Sequence, residues 1–323
     1  MSKHTKIWLI IAAALILIGC SILGGVTAML KWDLTKLSTD KYQTNTHKLN
    51  EEINFISVNT DTADIDFVPS ENSECSVVCY EQENVKHSVT VKDSTLAIEV
   101  NDTRRWYEHI GINFGTPKIT VYIPAGEYSS LTINGSTGDI NIPDNFGFKT
   151  VDITVSTGDV KCFACATEAI KISSSTGDIF LKDLSAGSLE LSVSTGTVTA
   201  SSVTCGGNFS VGVSTGRSYL TDITCKTLIS SGDTGDISLK NVIAEGKISI
   251  ERSTGDVTFE RCDASELFVE TDTGDVTGSL LSEKIFTVKT DTGEKDVPNT
   301  TAGGRCEITT DTGDVRITVE VIY

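Results

Sequence analysis

Ser175–Val193, STGDIFLKDLSAGSLELSV, decides the fold. Counted from its serine, apolar residues fall at positions 5, 7, 10, 15 and 17: Ile179, Leu181, Leu184, Leu189 and Leu191. A spacing of two within each cluster is the period of a strand, whose alternate side chains share a face. The unit from Ser253 repeats the pattern with Val257, Phe259, Cys262, Leu267 and Val269. Each unit therefore predicts a short strand, a corner and a second strand, with too little apolar surface to fold alone.

Working outward, the Ser/Asp-Thr-Gly tripeptide that opens this unit recurs, with its glycines at Gly138, Gly158, Gly177, Gly196, Gly216, Gly235, Gly255, Gly274, Gly293 and Gly313. Self-similarity at a period of 19 or 20 residues is the mark of a solenoid, in which each unit buries its apolar face against the next. The expected fold is all-β: a single-stranded β-helix (β-solenoid) of 19–20-residue rungs, occupying residues 131–323. A corner needs one residue of positive φ, which glycine adopts without steric cost, so the ten glycines are read as structural corner residues. The next position is less strict. Asp139, Asp159, Asp178, Asp236, Asp256, Asp275 and Asp314 occupy it, but Thr197, Arg217 and Glu294 stand there in three units.

Residues 49–130 read as an irregular β region capping the solenoid. Asp61-Thr62-Ala63-Asp64-Ile65 is a worn copy of the corner, and His87–Val100 alternates about a turn near Asp93, as in a hairpin. Asn101–Thr116 breaks the pattern and reads as a loop.

At the N-terminus, Ile7–Leu30 runs 24 residues without a charge, enough to cross a hydrocarbon core that needs about 20. Lys3 and Lys6 precede it, and the positive-inside rule keeps them in the cytoplasm. The expected order is a cytoplasmic arm (1–6), one transmembrane helix (7–30), a polar linker (31–48) and an extracytoplasmic bulk. That makes the chain a single-pass protein of the cell membrane. Leu17-Ile18-Gly19-Cys20 also has the form of a lipoprotein box with Cys20 as the lipidated residue, and a cleaved secretory signal is a third reading. The apolar run after Cys20, SILGGVTAML, favours the uncleaved anchor. All three readings put residues 31–323 outside.

A net charge of −18 excludes a nucleic-acid partner, which requires a basic face. A hydrophobic share of 39% is enough for a core, so disorder is excluded for most of the chain.

The anchor, the DTADIDFVP segment, the Ile119–Pro124 run ITVYIP and the serial STGD-I/V corners together resemble a bacterial "putative adhesin" domain family, over about residue 50 to the end. That family is uncharacterised, widespread in Gram-positive bacteria and described as a β-helix. The resemblance implies a cell-surface role and a link to envelope stress, and it carries no catalytic residues to transfer. Thr197, Arg217 and Glu294 depart from its corner motif.

The most chemical feature is the row of corner carboxylates. Stacked units would align Asp139, Asp159 and Asp178 in one row and Asp236, Asp256 and Asp275 in another. Asp233, Asp272 and Asp311 add a second carboxylate beside Asp236, Asp275 and Asp314. Such rows suggest Ca²⁺, which takes six to eight oxygens, as the one candidate cofactor. The competing reading has each Asp hydrogen-bonding its own turn, and no other cofactor is implied.

Cys162 falls at core position 7, and Cys165 and Cys262 at position 10, where buried Cys acts as a small hydrophobe. Cys205 and Cys225 share position 12 of neighbouring units, close enough to bridge or to remain two thiols. Arg104, Arg105, Trp106 and Tyr107 form a candidate contact patch, with Trp106 as a plug for the helix end the competing reading. The alternating strand Val315–Tyr323 ends the chain and offers an uncovered edge for end-to-end self-association.

The functional expectation is a membrane-anchored extracytoplasmic β-helix acting as a non-enzymatic adhesion or interaction module toward wall polymers or an envelope protein. The alternatives are an envelope-stress sensor working through a membrane partner and a polysaccharide-acting enzyme. Carboxylates strung along a corner, and the absence of His after His109, disfavour the enzyme.

Overall fold

The computed structural model describes residues 3–29, 31–32, 41–71, 74–106 and 115–320. Contacts divide the chain into two units: 1–43 with 82–85 and 102–115, and 44–81 with 86–101 and 116–323. In the first unit, α1 (Lys3–Met29) begins ahead of the apolar run, and its side chains from Ile7 to Val26 are exposed. The two hydroxyls within its apolar run are satisfied internally: Ser21 Oγ donates to the Leu17 carbonyl (2.8 Å) and Thr27 Oγ1 to the Leu23 carbonyl (2.9 Å). Such back-bonding removes the cost of a polar group in an apolar surround. Of the expected linker, residues 33–40 lie outside the described set, and Tyr42–Leu49 is a strand, so the linker is shorter than 31–48.

The second unit is the solenoid. Strands run parallel and in register from coil to coil, as in the pairing of Leu189–Thr204 with Phe209–Thr224. Alternation buries the even-spaced apolar side chains: Ile179, Leu191, Val198, Phe209, Leu220 and Ile237 are at most 1% exposed.

Two corners shape each coil. At the first, the ten repeat glycines have φ between 129° and 157°. A Cβ on any of them would lie 1.7–2.1 Å from the carbonyl oxygen of the neighbouring coil's corner. Close stacking, as much as the dihedral, therefore restricts the position to glycine. The second corner lies at position 9, where Asp183, Ser202, Asp222, Asn241 and Arg261 are left-handed, with φ of 50–55°. Each resets the strand alternation, so position 10 points inward: Leu184, Val203, Ile223, Val242 and Cys262 are 0–4% exposed. The unit from Ser156 lacks this left-handed residue. Its alternation runs on unchanged, burying Ala164 and Ala166 and turning Cys165 outward, against the expectation that Cys165 is a core residue.

The stack follows chain order from Gly138 to Gly274 but not at its ends. Gly313 stacks on Gly274, and Gly293 stacks on Gly313, so the coil nearest the C-terminus sits between two earlier ones. Val315–Val319 pairs on one side with Val276–Leu280 and on the other with Lys295–Asp296. Both edges are therefore covered at Val315 and Arg316, while Ile317–Val319 pairs on one side only, with Gly278–Leu280, so the expected free C-terminal edge is narrowed to those three described residues; residues 321–323 lie outside the described set.

The other end repeats the exchange. Phe55–Thr62 lies between Thr95–Asp102 and Gly126–Thr137, and Asp64–Pro69 between Lys118–Ile123 and Ile140–Ile142. Beyond this outermost coil, Cys75–Gln82 adds to Lys118–Ile123 in antiparallel sense. Asp93 and Ser94, both of positive φ, form the expected turn between Val85–Lys92 and Thr95–Asp102.

Candidate functional site

The corner carboxylates do not cap their own turns. The Oδ1 of each accepts the backbone N–H of the corresponding residue in the next coil: Asp64 from Asp139 (3.0 Å), Asp139 from Asp159 (2.9 Å), Asp159 from Asp178 (2.9 Å) and Asp178 from Thr197 (2.7 Å). A second ladder runs from Asp236 to Asp256 (3.1 Å), Asp275 (2.8 Å), Asp314 (2.8 Å) and Glu294 (2.8 Å). The stack order explains the departures. Glu294 closes the outermost coil, where no further amide needs an acceptor. Thr197 ends the first ladder because it has no carboxylate to offer Arg217, whose Nε lies instead 3.7 Å from Asp236 Oδ2.

This assigns Asp139, Asp159, Asp178, Asp236, Asp256, Asp275 and Asp314 a structural part through one oxygen each. Asp233, Asp272 and Asp311, two positions before the corner glycine, are exposed and flank the same corner. The repeat threonines from Thr137 to Thr312 are all exposed and stack in register, as Thr157 does on Thr137 and Thr176. Beside them runs a column of short side chains, Ser173, Ser192, Gly212 and Ser231, on the same outer face.

The irregularity between the two Asp ladders reaches the core. Ser218 occupies the column held by Val198 and Ile237, is fully buried, and its hydroxyl has no hydrogen-bond partner among the described residues.

Near the C-terminal end, a cleft of about 780 Å³ is lined by Asp263, Ser265, Leu281, Ser282, Lys284 and Gly303, among others. Lys284, 2% exposed, places its Nζ 2.7 Å from Asp263 Oδ1 and also on Ser282 Oγ. Burial pushes the Asp263 carboxyl up, but the hydrogen bonds from Lys284 and Ser282 and the Lys284 charge outweigh it and hold the group below its ordinary value.

Of the candidate contact patch, Arg104 is tied to Asp102 by a two-pronged ion pair (2.6–3.0 Å), Trp106 is 78% exposed, and Tyr107 lies outside the described residues. All nine cysteines are free thiols, Cys205 and Cys225 included. Burial, and secondarily Cys205, pushes the Cys225 thiol up to about 12.

A cluster not anticipated from the sequence lies at the N-terminal end. Cys79 and Glu81 share the inward face of Cys75–Gln82, and His87 comes from Val85–Lys92. All three are at most 5% exposed, and their Sγ, carboxylate and imidazole atoms lie within 4.8 Å of one another. His87 Nδ1 is 2.8 Å from Glu81 Oε2, and His87 Nε2 is 2.9 Å from Thr60 Oγ1. Alternation of Cys79 and Glu81 on one strand, followed after the Glu83-Asn84 turn by His87, was the available signal.

The family model of the Toastrack DUF4097 domain matches residues 53–209 and 199–321, together most of the chain. The chain belongs to the Toastrack DUF4097 family. This Toastrack chain is similar to three solved structures, at low identity. A "putative lipid binding protein" from Parabacteroides distasonis ATCC 8503 is 15% identical, with 85% of this chain and 97% of that one covered and a TM-score of 0.49. A "putative adhesin" from the same organism is 11% identical over 87% and 98%, with a TM-score of 0.47. Another from Bacteroides fragilis NCTC 9343 is 16% identical over 86% and 97%, with a TM-score of 0.44. No curated protein matches the chain.

Proposed function

We propose that this Toastrack chain is a membrane-anchored, extracytoplasmic β-solenoid that works as a non-enzymatic adhesion or interaction module. The observation carrying the proposal is the exposed hydroxyl face: ten stacked threonines along one corner, bordered by the column Ser173, Ser192, Gly212 and Ser231. Short side chains lose little rotamer freedom on contact, and strands fixed in register hold their hydroxyls at a repeat of about 4.8 Å. A surface of this kind suits a polar, extended partner such as a wall polymer. The apolar helix His4–Met29 is long enough to tether it to a membrane.

The test is retention of the full-length chain, in mild detergent, on purified cell-wall sacculi. Retention that falls at least tenfold when Thr157, Thr176, Thr195 and Thr215 are replaced together by Lys supports the reading; failure to bind, or binding indifferent to the replacement, overturns it. Exposed Cys165 reports the side of the membrane, since a membrane-impermeant maleimide on intact cells labels it only if the solenoid is outside.

A further inference from the structure

We infer that Cys79, Glu81 and His87 form a transition-metal site, with Zn²⁺ the ion that fits best, which fastens the strand pair at the N-terminal end of the solenoid to the coil behind it. The three groups offer one thiolate, one carboxylate oxygen and one imidazole nitrogen, a set that suits Zn²⁺ and excludes the oxygen-only preference of Ca²⁺ and Mg²⁺. Tetrahedral bonds of about 2.0–2.3 Å place ligand atoms roughly 3.3–3.6 Å apart. The observed atoms lie within 4.8 Å of one another, so a small shift of side chains would bring all three onto one ion, with the fourth tetrahedral position left to a water.

Three further features separate this cluster from a chance meeting of polar groups. Each ligand is at least 95% buried, so bulk water does not compete for the ligand atoms. The ligands' other polar atoms are already engaged: His87 Nε2 meets Thr60 Oγ1 at 2.9 Å and Glu81 Oε1 accepts from Asn45 Nδ2 at 2.6 Å, while Glu81 Oε2, the ligand atom, also accepts the His87 backbone N–H at 2.7 Å. Partners of this type orient metal ligands and fix the histidine tautomer. Charge also closes, because a dication is neutralised by one thiolate and one carboxylate with a neutral imidazole.

The protons balance as follows. Without metal, Cys79 is a thiol and His87 Nδ1–H donates to the Glu81 carboxylate. On binding, the Cys79 proton leaves to solvent and the sulfur bonds the metal. The imidazole proton passes from Nδ1 to Nε2, where it donates to Thr60 Oγ1, and Nδ1 and Glu81 Oε2 take the ion between them. Thr60 lies on Phe55–Thr62, the strand stacked between Thr95–Asp102 and Gly126–Thr137, so the site joins the Cys75–Lys92 strands to the coil one layer in.

The full-length chain, expressed in Co²⁺- or Zn²⁺-supplemented medium and purified in detergent, provides the test. The expected result is about one metal per chain and, with Co²⁺, a thiolate-to-metal charge-transfer band. Cys79→Ser should abolish the band, and Thr60→Val should weaken binding roughly tenfold, the effect of losing one such outer partner. Cys165→Ser and Cys225→Ser should leave metal content and spectrum unchanged. Because Cys79→Ser could disturb folding, His87→Gln serves as a second variant, each checked by circular dichroism for the wild-type β spectrum. Absence of bound metal in the wild type, or a band that survives in a folded Cys79→Ser or His87→Gln chain, overturns the assignment.

Discussion

Between Gly138 and Gly274 the stack follows the chain, whereas at both ends one coil is threaded between two others. The middle shows what the repeat encodes: a glycine corner packed against the next, an aspartate reaching forward to the next amide, and an inward row of aliphatic side chains. The ends show what it leaves open. Because the corner motif recurs in every rung, it does not by itself dictate the order in which rungs stack. The comparison also explains why Glu294 alone in the second ladder departs from Asp: its coil is outermost.

The strongest way to break the contrast is to shorten the chain after Pro298. Lys284–Thr292 and Lys295–Asp296 then lose the Gly304–Val319 coil on which they stack. Hydrogen exchange should show residues 284–296 unprotected although they are still present, while a stack in chain order would keep them protected. Next in size, Gly235→Ala should cost about 3 kcal/mol or more in urea unfolding, since its Cβ would lie 1.7 Å from the Gly216 carbonyl and its φ is 129°. Gly293→Ala should cost less, because the outermost coil can move outward.

Asp256→Ala removes the acceptor for the Asp275 amide and should cost about 1–2 kcal/mol, Asp256→Asn should retain most of that, and Glu294→Ala should stay within about 0.5 kcal/mol. Ser218→Val, which fills a buried column without an unpaired hydroxyl, should stabilise by about 1 kcal/mol. The smallest effect concerns ions at the corner. With one oxygen of each ladder aspartate committed to an amide, the melting temperature of the full-length chain in Ca²⁺ should match that in NaCl of equal ionic strength. A Ca²⁺-specific rise removed by chelator would make the carboxylate rows a cation site.

One pH effect belongs to the C-terminal end. Asp263 is held below its ordinary value of 3.8 in the folded chain, so its contribution is present above that value and is lost as pH falls through the lower folded one. Lys284→Met should remove this acid-dependent component, seen as a flatter stability profile below about pH 4.

The regular part of the molecule was legible because glycine, aspartate and the aliphatic positions each answer a local demand that recurs every 19 or 20 residues. The left-handed second corner was less so: Asp183, Ser202, Asp222, Asn241 and Arg261 share a conformation but not a residue type, and missing it misplaced Cys165. The exchanged coils left no trace in the period. The Cys79–Glu81–His87 cluster was visible only as scattered residues until the strand Cys75–Gln82 was paired beside Lys118–Ile123.

The threading of the ends bears on how the solenoid carries load. A force applied at the C-terminus reaches Ile317–Val319, held on one side, and then Cys306–Thr312 with Val315–Arg316, gripped on both sides. The same holds for Phe55–Pro69 at the N-terminal end of the solenoid. Neither can be peeled off as a free outer layer, since two rows of hydrogen bonds must shear together before the chain yields. A solenoid pulled between its two ends would thus resist at both of them, where an ordinary stack of repeats would unravel first.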